Sequence, residues 1–471
     1  MFKKRIFIFS EISILFFGWL CIFLYNANFS VNIKLSFFCL VGFTLLSFFL
    51  HIINGGRSLT LAVVNIFYYC FYLVAPIIQL DLNDKNLINT MPVNESYVLY
   101  FNFLLCMFIF SQSMTYYVIT CKSKMKISDV IIPSNNDINN INKNKLLMLF
   151  LFTCVGLIFS YTFIQTQIFN KMIAVLMDEK LEMSSIYGLI SAKFFGVIPL
   201  LGAVLSLLFY KKNKKWFLLC VTFLIILLIF KNPIMERRNA LGTIYLTFLV
   251  FLFPLFLVSV RRTYYSLIML LVIAFPMLSV FTHYKLPELI EKGVFNTITF
   301  EISNHFSQLH YDAWANGIAI IDFVNDKGFQ MGTQVSAAFV FFVPRSFWAN
   351  KPNSTGTEIG DFLMNKYSLW FNNISATLPM EGYIDFGVIG IVLFATIFSL
   401  FTLFVEKKAF HNLGWKVFYV YFSFFCFFVF RGAFAIATAY LIGSFIAIVI
   451  MYNFILPLKL NLNRCKKYYG S

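Results

Sequence analysis

The sequence predicts an all-α polytopic membrane protein with about 12 transmembrane helices and one long external loop containing short amphipathic helices. Three observations lead there. Hydrophobic residues make up 60% of the 471-residue chain and charged ones only 12%, with a mean hydropathy of +0.79, whereas soluble domains carry about 25% charged residues. Apolar runs of roughly 20 residues, enough to cross a hydrocarbon core as a helix, recur along the chain. The loops between them alternate in charge, as expected when Lys and Arg collect on the cytoplasmic side.

The first run, Ile6 to Tyr25, follows Lys3-Lys4-Arg5 and has no small-x-small cleavage site, so it reads as a retained span and not a cleaved signal. The next spans are Val31 to His51, Ser58 to Leu80, Ser96 to Thr120, Lys145 to Gln165 and Leu189 to Tyr210. Trp216 to Phe230, Ala240 to Val260 and Tyr264 to Phe281 complete a region of nine spans over residues 1–282. Residues 283–385 form the long external loop, and 386–471 add the spans Phe386 to Val405, Trp415 to Phe430 and Ala433 to Tyr452 with a cytoplasmic tail. Each span must be helical, because lipid offers backbone amides no partner. Pro199, Pro254 and Pro276 fall within spans and are expected to kink them.

With the N-terminus inside, the internal segments His51 to Arg57, Cys121 to Asn144, Lys211 to Lys215, Arg261-Arg262, Glu406 to Asn412 and the tail all carry positive charge. The external loops Asp81 to Glu95 and Thr166 to Gly188 carry at least as many acidic as basic residues. Both termini are therefore expected in the cytoplasm. Asn135 to Asn144 is an Asn-rich polar loop. Loops longer than about 15 residues usually have a job, so the long external loop is the first place to look for function. Within it, the apolar Gly332 to Val343 is half a span and reads as a re-entrant or interfacial helix. Asp312 to Phe323 places Trp314, Ile318 and Ile321 at helical spacing and reads as an amphipathic helix lying on the membrane.

Several function classes drop out. The net charge of +16 is mostly topological and implies no nucleic-acid partner. The 62 Phe residues read as lipid-facing filler. The nine Cys lie in spans or internal segments, which argues against disulfides and a zinc site. His305 and His310, five apart, do not share a helical face, so no metal is expected there.

Basic charge on the external side is the most informative anomaly. Lys231, Arg237 and Arg238 lie in a short external loop, Arg345 and Lys351 in the long one, and Arg431 between the last two spans. Guanidinium forks bind phosphate oxygens bidentately, although phospholipid headgroups could also account for each of them. Near them stand Val343-Pro344-Arg345-Ser346-Phe347-Trp348-Ala349-Asn350-Lys351-Pro352 and, later, Glu381-Gly382-Tyr383-Ile384-Asp385-Phe386-Gly387 leading into a span.

In these segments and in layout the chain resembles the Wzy family of O-antigen and oligosaccharide repeat-unit polymerases. Members show a Pro-Arg-x-x-Trp-x-x-Lys-Pro-like stretch, then a Glu-containing Tyr-x-x-Phe-Gly segment, and a second Arg-bearing external loop, here Glu236-Arg237-Arg238-Asn239-Ala240. The family's Arg followed eleven positions later by Gly fits Arg345 and Gly356; Arg237 and Arg238 lack that Gly, which leaves open which of the two matters. The resemblance implies an enzyme of the bacterial inner membrane whose periplasmic site joins undecaprenyl-pyrophosphate-linked oligosaccharides without cofactor or metal. A chain-length regulator and a repeat-unit flippase would be its partners, with the phospholipid bilayer as its solvent.

Such a reaction needs cations for the departing pyrophosphate and a base for the acceptor hydroxyl. Arg237, Arg238, Arg345, Lys351 and Arg431 suit the first role. Glu381, at the outer mouth of a span, suits the second, with a purely structural carboxylate as the competing reading. His305 and His310 are the other base candidates, each more readily read as an interfacial polar residue than as a base. Trp348, beside Arg345, could stack on a sugar, while Trp314, Trp348 and Trp370 also fit an aromatic interface belt.

An O-antigen ligase would share this layout. A lipid-linked oligosaccharide flippase or other transporter would instead place ionisable groups near the bilayer midplane, where the spans carry almost none. A membrane O-acyltransferase would want a catalytic His stronger than His305.

Overall fold

The computed structural model of the protein describes residues 2–25, 30–56, 58–82, 86–121, 130–134, 137–138, 141, 144, 146–154, 186–231, 238–257, 259–274, 280, 291, 293–343, 347–348 and 350–455. These residues form helices and turns, with an isolated β-bridge between Asn86 and Pro92. In chain order come α1 (Phe2–Tyr25), α2 (Val31–Ile53), α3 (Leu59–Leu82, π-helical over Tyr68–Val74) and α4 (Glu95–Thr120). Then follow α5 (Ile186–Lys212), α6 (Phe217–Phe230), α7 (Arg238–Leu252) and α8 (Val260–Met269). The shorter α9 (Val294–Ser303), α10 (Ala313–Lys327), α11 (Thr333–Phe339) and α12 (Thr355–Tyr367) precede α13 (Leu378–His411), α14 (Leu413–Arg431) and α15 (Phe434–Phe445), which continues as a π-helix to Ile455.

Six of these helices, α2, α3, α4, α13, α14 and α15 with its extension to Asn453, are long and apolar enough to cross a membrane. Shorter apolar helices run Ile12–Tyr25 and Gly242–Leu252. Along α13, Ile389 and Ile397 are 71% and 60% exposed, a surface that suits lipid and not water. The molecule is thus an all-α protein of multi-pass membrane type. Much of the expected span Lys145 to Gln165, the end of Tyr264 to Phe281 and the tail beyond Ile455 lie outside the described residues. Pro254 does more than kink its expected span: α7 ends at Leu252 and Pro254 opens a separate 3-10 turn, because proline has no N–H to donate and holds its predecessor out of helical geometry.

Polar side chains pin the helices at both ends of the bundle. At one end, Glu406 of α13 is 6% exposed and accepts from Ser58 Oγ, from Tyr419 Oη at 3.2 Å and from Tyr116 Oη at 2.8 Å. One carboxylate therefore ties α3, α4, α13 and α14 together. His51 Nδ1 meets Tyr264 Oη at 2.6 Å, and Lys416 Nζ donates to Asp137 at 3.2 Å and to the Ile132 carbonyl at 3.0 Å. The described parts of the segments expected inside, around residues 51–58, 120–137 and 406–416, thus gather at this end. Sequence reasoning put Glu406 in a loop because Lys407 and Lys408 follow it; α13 continues past it and buries it.

At the opposite end lie Asp81, the turn at 86–92 and the described residues between 305 and 386. Here α10 departs from its expected place on the membrane surface. Every residue from Ala313 to Val324 is buried, with Trp314 only 1% exposed. The apparent polar face turns inward: Trp314 Nε1 donates to Asn102 at 2.9 Å, and Asn316 Nδ2 donates to Asp312 and Ser375, both at 2.9 Å. Lys366 of α12 bridges Asp322 and Asp326 of α10, both at 2.8 Å. Trp314 is accordingly a core residue and not part of an interface belt, whereas Trp370 is 76% exposed.

The long α13 contains a sharp turn. Gly387 has φ 59° and ψ −145°, which is not helical. Gly382 and Gly390 touch backbone to backbone, since a Cβ on Gly390 would stand 1.8 Å from the Gly382 carbonyl oxygen. Eight residues of straight helix span about 12 Å, so the chain must double back. Residues 378–386 form a short arm packed across the start of 388–411, and the span expected from Phe386 begins at this turn.

Candidate functional site

The short arm carries Glu381. Thr377 starts it and Pro379 occupies its first turn, where a missing N–H costs nothing. Glu381 is 2% exposed, so it is enclosed and not seated at an open mouth. Its two oxygens serve two other elements: Oε2 accepts from Thr355 Oγ1 at 2.6 Å, and Oε1 from the backbone N–H of Phe434 at 2.7 Å. The second bond caps α15, whose own N-cap residue, Ala433, has no side chain to do so.

Asp385, one turn on, accepts from the backbone N–H groups of Gln334 at 3.3 Å and Val335 at 2.8 Å, and so caps α11. Gln334 links the group: its Nε2 donates to Glu358 at 2.7 Å, and its Oε1 accepts from Thr355 at 3.3 Å. Burial holds the Glu358 carboxyl above its ordinary range, against donation from the Asn353 backbone and Gln334. Three carboxyl groups from α12 and α13 thus share one hydrogen-bonded cluster. Among the described residues no group of His, Cys, Asp or Glu could hold a metal ion.

Arg431 ends α14, three residues before the Phe434 N–H that Glu381 accepts. Its Nε pairs with Asp312 Oδ1 at 3.5 Å, and its side chain is 25% exposed against 7% for Asp312. Asp312 Oδ1 also accepts from Ser375 Oγ at 2.8 Å, while Asn89 Nδ2 reaches Asn316 Oδ1 at 3.1 Å. The extended segment 372–377 connects the two clusters: Ser375 touches Asp312, and Thr377 bonds Tyr72 of α3. It is held against α12 by two glycines. A Cβ on Gly356 would lie 2.3 Å from the Ile374 carbonyl oxygen, and one on Gly360 2.0 Å from that of Asn372. Gly356 is therefore needed for close backbone approach.

The remaining expected residues fall in different places. His305 is 2% exposed, with Nε2 2.6 Å from Tyr311 Oη, in a 3-10 turn whose Phe306 carbonyl accepts from Gln79 of α3. His310 is half-buried in the next 3-10 turn. Lys351 donates to the carbonyls of Phe341 at 2.7 Å and Val343 at 3.0 Å. Trp348 is half-buried. Lys231, expected in an external loop, is 4% exposed with its stem against Gly196. Arg238 opens α7, and Arg237 and Arg345 lie outside the described residues. The structure thus places Glu381 in a cluster with Thr355, Gln334, Glu358 and Asp385, and Arg431 in a second one with Asp312, linked through the turn to Phe434; the partners are ones that sequence reasoning missed. Asp385 stands inside the Tyr-x-x-Phe-Gly segment without an assigned role, and for the others the sequence signal is polarity in or beside apolar helical stretches.

Scanned against protein-family models, curated proteins and solved structures, the chain matches none.

Proposed function

We propose that the protein is a membrane glycosyltransferase of the bacterial inner membrane, joining undecaprenyl-pyrophosphate-linked oligosaccharide repeat units on its outer face, with both termini cytoplasmic. The observation that carries this reading is the turn between α14 and α15, where Arg431 pairs with Asp312 and, three residues on, the Phe434 N–H donates to the Glu381 carboxylate. That end also holds the described residues of Asp81 to Glu95, a segment that loop charge assigns outside, where lipid-linked repeat units would be joined.

The chemistry follows from the groups present. A sugar hydroxyl of the acceptor attacks the anomeric carbon of the donor glycan as its bond to the pyrophosphate oxygen breaks. Glu381 takes the hydroxyl proton, and Arg431 neutralises charge on the departing pyrophosphate, assisted by Arg345 and Arg237 or Arg238. Thr355 can free the base, because its proton can turn from Glu381 to Gln334 Oε1 at 3.3 Å and leave Oε2 to the acceptor.

Deleting the gene and examining the surface glycan on a gel tests the assignment. A polymerase predicts collapse of the ladder to a single capped repeat unit. Loss of all glycan, single repeats included, would identify a ligase or a flippase, and an unchanged ladder would end the proposal.

A further inference from the structure

At the Glu406 end, a groove of about 480 Å3 opens between the end of α13, the start of α14 and the π-helical continuation of α15. This is within the usual size range of ligand sites, roughly 300–1,000 Å3. Its wall is apolar. Trp415 packs edge-on against Phe404, Phe418 and Phe445 at centroid distances of 5.5, 6.0 and 5.4 Å, and Val449 and Ile450 complete the surface. Those two belong to the π-helical stretch Ile446–Ile455, a geometry that recurs at functional sites. An Asn412–Asn453 hydrogen bond of 2.6 Å ties the two helices beside it.

The rim is basic. Lys408 and His411 are both exposed and line the groove, and no carboxylate is among the described residues that do. We propose that this groove binds one anionic phospholipid, an acyl chain lying along Trp415, Phe445, Val449 and Ile450 and the headgroup phosphate on Lys408 and His411. An apolar wall ending in a cationic rim, at the end of the bundle where basic segments collect, matches an amphiphile with a negative head. Charge argues against the chain's own tail, since Lys459, Arg464, Lys466 and Lys467 have the rim's sign. It also argues against a second copy docking by the same face.

Delipidated full-length protein in neutral detergent, titrated with phosphatidylglycerol or with phosphatidylcholine of the same chains, tests this by native mass spectrometry. Wild type should retain phosphatidylglycerol in preference. Lys408→Ala should weaken that retention about fivefold, one basic contact near a membrane surface, and Lys408→Ala/His411→Ala should abolish the preference. Ile450→Trp, which fills the groove, should reduce binding of both lipids. Equal retention of the two lipids by wild type, a preference that survives the double variant, phosphatidylglycerol binding unaffected by Ile450→Trp, or a dimer that excludes lipid from this face would each overturn the proposal.

Discussion

Glu381→Gln should leave the protein at wild-type levels in the membrane and yet reduce chain extension on the order of 10²–10⁴-fold, the usual contribution of a general base. The substitution is mild for the fold. A glutamine carbonyl oxygen can still accept from the Phe434 N–H, and its amide can donate to Thr355, whose own proton then turns to Gln334 Oε1. The variant therefore keeps the α15 cap and removes only the capacity to take a proton. Surface glycan measured in a complemented deletion strain, beside protein quantified in the same membranes, separates the two effects. Full-length ladders from Glu381→Gln would leave the carboxylate a purely structural cap.

The second large effect is on the fold. Gly390→Ala should destabilise by about 3 kcal/mol or more, at or beyond the upper end of ordinary overpacking, because its Cβ would stand 1.8 Å from the Gly382 carbonyl oxygen. The obstacle is backbone, which cannot rotate away as a side chain would. Gly42→Ala in α2 is the matched control, with nothing within 4 Å of its Cβ. It should be neutral or stabilising by up to about 1 kcal/mol, as alanine is the better helix former. Thermal unfolding in detergent checks both. Equal stability of the two variants would mean that the arms of α13 do not cross at these glycines.

Hydropathy and loop charge made the all-α, multi-pass architecture legible, because both depend only on local composition. The fold-back at Gly387 was not: the span could be read as starting at Phe386, but nothing local shows that the preceding residues form a helical arm packed across it, and glycine is common in membrane helices. Asp312, Asn316 and Asp322 looked like the wet face of an amphipathic α10. Periodicity records where polar residues lie on a helix but not whether water or Ser375, Asn89 and Lys366 will meet them. Glu381 could be singled out from the Tyr-x-x-Phe-Gly segment. Its partners could not, for Thr355 and Phe434 lie 26 and 53 residues away and nothing local marks the pairing. His305 read as an available base, yet Tyr311, six residues on, occupies its Nε2.

Purified protein in lipid nanodiscs, supplied with a single undecaprenyl-pyrophosphate-linked repeat unit from its own host, tests the central claim most directly. The account predicts lipid-linked products of two and more units, with one undecaprenyl pyrophosphate released for each linkage formed and none from Glu381→Gln. Wild-type protein that consumes no donor, or that releases the carrier without lengthening any glycan, would contradict it.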